Sequence, residues 1–246
     1  MDRMLYVAMT GASETLRAQA AQAHNLANVS TTGFRADLEQ FRSMPLYGPG
    51  LPTRVFAMQE RPGVDLQPGA IRTTGRDLDV AVDGRGYIAV QAPDGSEAYT
   101  RAGDLRIDAN GLLTNGAGRQ VLGDGGSIAI PPASKLSIGA DGSISVQAAG
   151  QANASLAVVD RIKLVSPDPN TLEKGADGLL RVRGGATAEP DAAVKLVAGA
   201  LEQSNASAVE SMVRMIELSR RFELQVRMMN TAKEDDSTAT QMLRIA

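Results

Sequence analysis

Both ends of this chain repeat apolar residues at helical spacing, while turn signals cut the stretch between them into short alternating segments. Near the start Leu5, Met9, Ala12, Leu16, Ala20, Ala23 and Leu26 or Ala27 recur at three- and four-residue intervals, which lines up one face of an α-helix. Near the finish Ala208, Met212, Met215, Ser219, Phe222, Val226 and Met229 alternate steps of four and three, the heptad of a coiled-coil seam. Two distant segments that each need a helical partner find it in one another or in other copies.

Residues 2–27 contain no proline and only Gly11 as a weak breaker, so one helix of about 26 residues and about 39 Å is expected. It should stop in Asn28-Val29-Ser30-Thr31-Thr32-Gly33, where polar side chains compete for backbone hydrogen bonds and Gly33 permits positive φ. Pro45, Pro49, Pro52, Pro62 and Pro68 then predict an extended connector with a hairpin over 31–76. Phe34, Phe41, Tyr47 and Phe56 lie in it, half the aromatic residues of the chain, so the connector should pack against a neighbour. From Asp77 the period changes to two, through Leu78, Val80 and Val82 to Ile162 and Leu164, as in half-buried strands. Asp83-Gly84, Asp94-Gly95, Asn110-Gly111, Asn115-Gly116, Asp124-Gly125, Asp141-Gly142 and Asp177-Gly178 predict type I′ hairpin turns. The fold class is therefore α+β. A discontinuous terminal two-helix coiled coil (1–30 and 200–246) accompanies the connector and a central antiparallel β-domain (77–197). Ser207-Ala208-Val209-Glu210 is a capping box that starts the last helix, and the polar run from Asn230 to Gln241 predicts fraying beyond Met229.

Composition narrows the function. Aromatics make up 3% of 246 residues with no Trp, which argues against a single thick core. A net charge of −3 offers no basic stripe for nucleic acid, and the lack of cysteine removes thiolate metal sites and Cys nucleophiles. No apolar run approaches the roughly 18 residues that span a bilayer. Ala18-Gln19-Ala20 has the form of a signal-peptidase site, but Ser13, Glu14 and Arg17 interrupt the apolar core it would need, so export without a cleavable signal is expected. His24 is the only histidine and lacks partners for a metal site or a triad. Asp108-Ala109-Asn110-Gly111 is read as a turn rather than a calcium loop. Gly84-Arg85-Gly86 and Gly123-Asp124-Gly125-Gly126 do not open a helix and so do not cradle phosphate. Asp77 and Asp79 form a carboxylate pair, yet only Tyr87 and Tyr99 offer aromatic platforms for sugar in the β-region. No cofactor and no enzyme activity are expected.

The run Asn25-Leu26-Ala27-Asn28-Val29-Ser30-Thr31-Thr32-Gly33-Phe34-Arg35 resembles the N-terminal signature of the bacterial flagellar rod and hook axial proteins. Three further stretches follow in that family's order: Leu78 to Tyr87, Tyr99-Thr100-Arg101-Ala102-Gly103, and Leu201-Glu202-Gln203-Ser204-Asn205-Ala206 leading to Arg221-Phe222-Glu223. Ala206 stands where valine is common. The opening Met1 to Ala12 and the short length are most similar to the proximal-rod branch, with the distal-rod branch the close alternative. The resemblance implies a subunit of a helical axial tube in the basal-body rod, transmitting torque from motor to hook. Its partners would be other copies, other rod proteins (a distal rod neighbour among them) and the flagellar type III export apparatus. It implies no membrane insertion.

In that reading Leu5, Met9, Leu16 and Leu26 meet Met212, Met215, Phe222, Val226 and Met229 in the seam, while Asn25 and Asn28 belong to the signature. Gly33 and Phe34 end the first helix and anchor the connector, so Gly33→Val should block assembly and leave the β-domain folded. The rival readings are a carbohydrate-binding or carbohydrate-active β-domain with helical dimerisation arms, and a small adaptor of a secretion system.

Overall fold

Residues 4–45, 55–148 and 156–245 are described by the structure, a computed structural model. Expectations that rest on Met1 to Arg3, on Tyr47 to Pro52 or on the side chain of Phe41 lie outside the described residues. The chain divides into two units: Met1–Ala27, Asp37–Gly63 and Ser207–Ala246 form the first, and Asn28–Ala36 with Val64–Ala206 the second. The connector range 31–76 is thus shared between them.

The first unit pairs helix α1 (Met4–Ala27) with helix α2 (Ala208–Ile245), beside a two-stranded ribbon of Asp37–Pro45 and Val55–Val64. The Ser207 hydroxyl accepts the N–H of Glu210 at 3.4 Å, and Glu210 pairs with Arg214 at 2.8 Å, which fixes the start of α2. Beyond Met229, where fraying is expected, α2 continues as helix to Ile245. The hydroxyls of Thr231, Thr238 and Thr240 donate to the carbonyls of Arg227, Glu234 and Asp236 one turn earlier. These hydroxyls bond back onto main-chain carbonyls of the preceding turn, which keeps them within the helix.

The two helices run antiparallel: Thr15 meets Gln225 at 3.1 Å, while Leu5 and Tyr6 share a cleft with Met229 and Ala232. Their seam differs in phase from the expected one on α1, and on α2 it keeps Met215, Phe222, Val226 and Met229 of the expected residues. α1 buries Ala8, Gly11, Ala12, Thr15, Ala18, Ala21, Gln22 and Asn25, and α2 buries Ser211, Leu218 and Ala232 with Met215, Phe222, Gln225, Val226 and Met229 half-buried. Leu5, Met9, Leu16 and Met212, expected inside, are 41–52% exposed. Small side chains let two helix backbones approach closely, and that approach leaves no room for Leu or Met between them. Gly11 shows the closeness, since a Cβ there would lie 2.8 Å from the Gln225 amide nitrogen.

The second unit is built on a five-stranded antiparallel sheet. Its order is Leu164–Val165, Tyr87–Gln91, Glu97–Thr100, Leu180–Val182, Leu172–Lys174. Ile88 and Val90 point into a core with Val80, Val82, Leu105, Leu113, Val121, Ile128, Ile144 and Ile162. Tyr87 and Ala89 point the other way, against Tyr99, Val165 and Leu180. Both faces of this strand are covered, which is why four consecutive residues of Tyr87–Gln91 are buried. Branched aliphatic side chains thus fill the larger core, while two tyrosines anchor the smaller one. A three-stranded sheet (Ala133–Ile138, Ser143–Ala148, Ala157–Arg161) and several two-stranded ladders complete the unit. One ladder pairs Ile71–Thr73 with Ala200–Glu202.

The turn type also differs from expectation. Among the described residues only glycines have positive φ, including Gly95 (82°), Gly111 (81°), Gly142 (84°) and Gly178 (79°). Each of these donates its N–H to the carbonyl three residues earlier, so the turns are type I with a left-handed glycine at the end. The preceding Asp or Asn stays right-handed. In these loops an aspartate at the turn accepts a backbone N–H two residues on, as Asp94 does from Ser96 and Asp108 from Asn110.

Candidate functional site

The signature stretches that lie far apart in sequence converge inside the second unit. Gly33, at φ +66°, donates its N–H to the Glu202 carbonyl at 2.8 Å. A Cβ on Gly33 would stand 2.2 Å from the Arg101 carbonyl carbon, so no other residue fits there. Arg35 reaches Glu202 Oε1 at 2.5 Å and Arg101 reaches Oε2 at 2.9 Å; all three side chains are at most 3% exposed. Gly69 N–H adds a third bond to the same carboxylate, at 2.8 Å. Arg101 also donates to the Gly84 carbonyl at 2.7 Å and lies over the Tyr87 ring, 5.1 Å from its centre. Burial pushes the Tyr87 phenol pKa up, an effect the neighbouring Arg101 opposes.

Asn205 completes the knot. Its Oδ1 accepts the N–H of Ala36 at 2.8 Å, and its Nδ2 donates to the carbonyls of Asp65 at 2.9 Å and Gln67 at 3.1 Å. Lys174 caps Phe34, its ammonium 4.0 Å above the ring centre, and donates to the Arg35 carbonyl at 2.7 Å. Two arginines thus surround one glutamate, and Nε and Nη1 of Arg35 with Nε of Arg101 have no acceptor among the described residues. Such a cluster contains no nucleophile and no vacant carboxylate oxygen. What it does is tie residues 33–36, 65–69, 82–87, 101 and 202–205 into one unit.

The other expected residues fall in two places. Asn25 exchanges hydrogen bonds with the main chain of Asp37 in the first unit, at 2.9 and 3.0 Å, and the adjacent His24 lies 3.1 Å from the Asp37 carboxylate. Asn28 accepts the Thr31 hydroxyl at 3.1 Å, and Leu26 is half-buried. Met215, Phe222, Val226 and Met229 are half-buried on α2, whereas Leu5, Met9, Leu16 and Met212 form exposed apolar stripes. Tyr6 extends the stripe on α1, and Val209, Val213 and Ile216 extend the one on α2. Gly33 packs on the β-unit's own backbone, so a side chain there strikes that unit as well, contrary to the expectation that Gly33→Val spares it. Sequence reasoning did not single out Arg35, Arg101, Glu202 or Asn205. Their only signal was membership of the signature stretches, because charged and amide residues ordinarily read as surface.

Three family models match the chain in succession: "Flagella basal body rod protein" over residues 5–35, "Flagellar hook protein FlgE/F/G D1 domain" over 81–146, and "Flagellar basal body rod FlgEFG protein C-terminal" over 197–242. The flagellar basal-body rod protein FlgF of Salmonella typhimurium is 41% identical, with the whole of both chains aligned. The chain belongs to the flagellar basal-body rod protein family. FlgF of Escherichia coli is 40% identical over the whole of both chains, and FlgG of Bacillus subtilis 30% identical over 95% of this chain and 96% of its own. The knot is where the three rod-family segments meet. Arg35 comes from the first, Val82, Gly84, Tyr87 and Arg101 from the second, Glu202 and Asn205 from the third. Among the described residues no helix is long and apolar enough to cross a membrane.

Proposed function

We infer that this chain is a structural, non-enzymatic subunit of the flagellar basal-body rod, of the proximal kind, and that it works by polymerising. The observation that carries the polymerisation is the pair of exposed apolar stripes: Leu5, Met9 and Leu16 on α1, and Val209, Met212, Val213 and Ile216 on α2. A helix pair that already has its seam and still exposes Leu, Met, Val and Ile has surface left for further helices to cover. Neighbouring copies and other rod proteins, a distal rod protein among them, cover those stripes in an axial tube that passes torque from motor to hook. The subunit reaches the rod, across the periplasm, through the flagellar type III export apparatus without a cleaved signal.

The seam between α1 and α2 is rich in Ala, Gly, Thr, Gln and Asn, which bury little apolar area. Before assembly the terminal segments are therefore largely disordered, and neighbours supply the burial that orders them. Leu16→Glu and Met212→Glu test the reading. Each should leave the thermal unfolding of the free chain unchanged while abolishing incorporation into basal bodies and swimming. Normal incorporation of both variants would refute the stripes as the assembly surface. Circular dichroism of the monomer with both ends helical and protease-resistant would refute the coupling of folding to assembly.

A further inference from the structure

We infer that Asn110 is a site of spontaneous deamidation and that Asn115, in the same dipeptide sequence, is protected by the fold. In this reaction the backbone nitrogen of the following residue attacks the asparagine Cγ. The new N–Cγ bond forms, the Cγ–Nδ2 bond breaks, and ammonia departs carrying the proton of the attacking nitrogen. Water then opens the resulting cyclic imide to aspartate or isoaspartate. No oxidant, metal or enzyme is needed. Glycine in the following position speeds the attack because no side chain crowds the nitrogen, and both Asn110-Gly111 and Asn115-Gly116 meet that condition. Sequence alone does not distinguish the two.

The structure does. Asn110 sits exposed at the tip of the tight turn that joins the paired strands Leu105–Ile107 and Leu113–Asn115. Among the described residues its side-chain amide makes one hydrogen bond, a long 3.4 Å contact to the Asp108 carboxylate. The attacking nitrogen, Gly111 N–H, donates to the Asp108 carbonyl at 3.1 Å, so the step waits for that turn to open. Ala109, Arg106 and Ile107 are exposed as well, and opening a surface turn requires only a local fluctuation.

Asn115 is held throughout. It is 2% exposed, and its Oδ1 accepts the N–H groups of Ala117 at 3.1 Å and Arg119 at 2.9 Å. Its own main chain bonds Arg119 and Gly118, and Gly116 lies so close to Asp104 that a Cβ there would fall inside the carboxylate. Bringing Gly116 N onto the Asn115 Cγ means breaking those bonds and unpacking the neighbouring core. At Asn110 the product would place a second carboxylate beside Asp108, whose Oδ1 holds the turn through the N–H groups of Asn110 and Leu112. Isoaspartate would add a methylene to the main chain at the same point and displace the strand register.

The test uses the full chain, incubated at neutral pH and physiological temperature and sampled over days. Trypsin releases both asparagines in one peptide, Ile107 to Arg119, and fragmentation in the mass spectrometer assigns each acid. In the folded chain Asn110 should convert at least about tenfold faster, the ratio that about one hydrogen bond's worth of added barrier supplies. In the guanidinium-unfolded chain the two rates should fall within about twofold, because fold protection is gone while the dipeptides are alike. Asp108→Ala, which loosens the turn, should accelerate Asn110 and leave Asn115 unchanged, with circular dichroism confirming the fold. Equal rates in the folded chain, a preference that survives unfolding, or no acceleration in Asp108→Ala would each overturn the inference.

Discussion

Replacing Glu202 by glutamine preserves shape and volume and removes a single charge, and it should be among the most damaging changes available in the second unit. The carboxylate is fully buried and receives Arg35, Arg101 and the Gly69 N–H. Without it two guanidinium groups remain in a low-dielectric interior with no counter-charge. Glutamine also turns an amide NH2 toward one of these donors, so a repulsive contact replaces an attractive one. Breaking a buried ion pair by removing one partner costs about 3–5 kcal/mol. For a unit of this size that amounts to a fall in melting temperature of about 10 °C. The charge count makes a sharper statement: Arg35→Met leaves one arginine against one glutamate and should cost only about 2 kcal/mol, the value of a charge-assisted hydrogen bond. Urea unfolding followed by the β-sheet circular dichroism signal measures both. If Glu202→Gln lies within about 1 kcal/mol of the wild type, or is milder than Arg35→Met, the knot does not hold the unit together by charge.

Gly33→Ala should destabilise the second unit by more than about 3 kcal/mol, because a left-handed backbone and a clash with the Arg101 carbonyl carbon coincide there; a melting temperature within a few degrees of wild type would refute the packing. Gly11→Ala should do the opposite and gain about 0.5–1 kcal/mol of helix stability, since the group it meets is the movable end of Gln225. Gly11→Leu should separate the helices, and helical circular dichroism of the assembled rod distinguishes the two variants. Burial raises the Tyr99 phenol from 10.0 to about 12, with its bonds to Glu97 and the Ala188 N–H as further influences. The folded state therefore keeps this proton longer than the unfolded chain. The stability it contributes is full below the unfolded value near 10 and is lost as pH rises through about 12. Melting temperature against alkaline pH should show this decline in the wild type and a shallower one in Tyr99→Phe.

Element types were legible because periodicity depends on few residues at a time: the helical steps from Leu5 and Ala208 and the alternation from Leu78 each follow from local geometry. The phase of the seam was legible only in part, through Met215, Phe222, Val226 and Met229. Reading apolar size as burial places Leu16 and Met212 inside, whereas Gly11, Ala18 and Ser211 take the inner positions because closeness between backbones decides the packing. That choice depends on the partner helix nearly 200 residues away, which no local pattern contains. Glycine marked the hairpins at Gly95, Gly111, Gly142 and Gly178, but Asp83-Gly84 joins strands that do not pair, and the left-handed glycines near Asn115 and Asp124 are Gly118 and Gly126; Asp108 accepting the Asn110 N–H selects type I over type I′, a side-chain effect that dipeptide preference misses. Arg35, Arg101 and Glu202 carry no signal of burial in composition. Only their placement within long signature stretches hinted that they act together.

Asn205 joins Ala36 to Asp65 and Gln67, so three segments of the second unit that are far apart in the chain are fastened by one side chain. Segments 140 and 169 residues apart in the chain would otherwise pay a closure entropy to meet, and a single amide holds both. Removing that one amide therefore releases all three segments together.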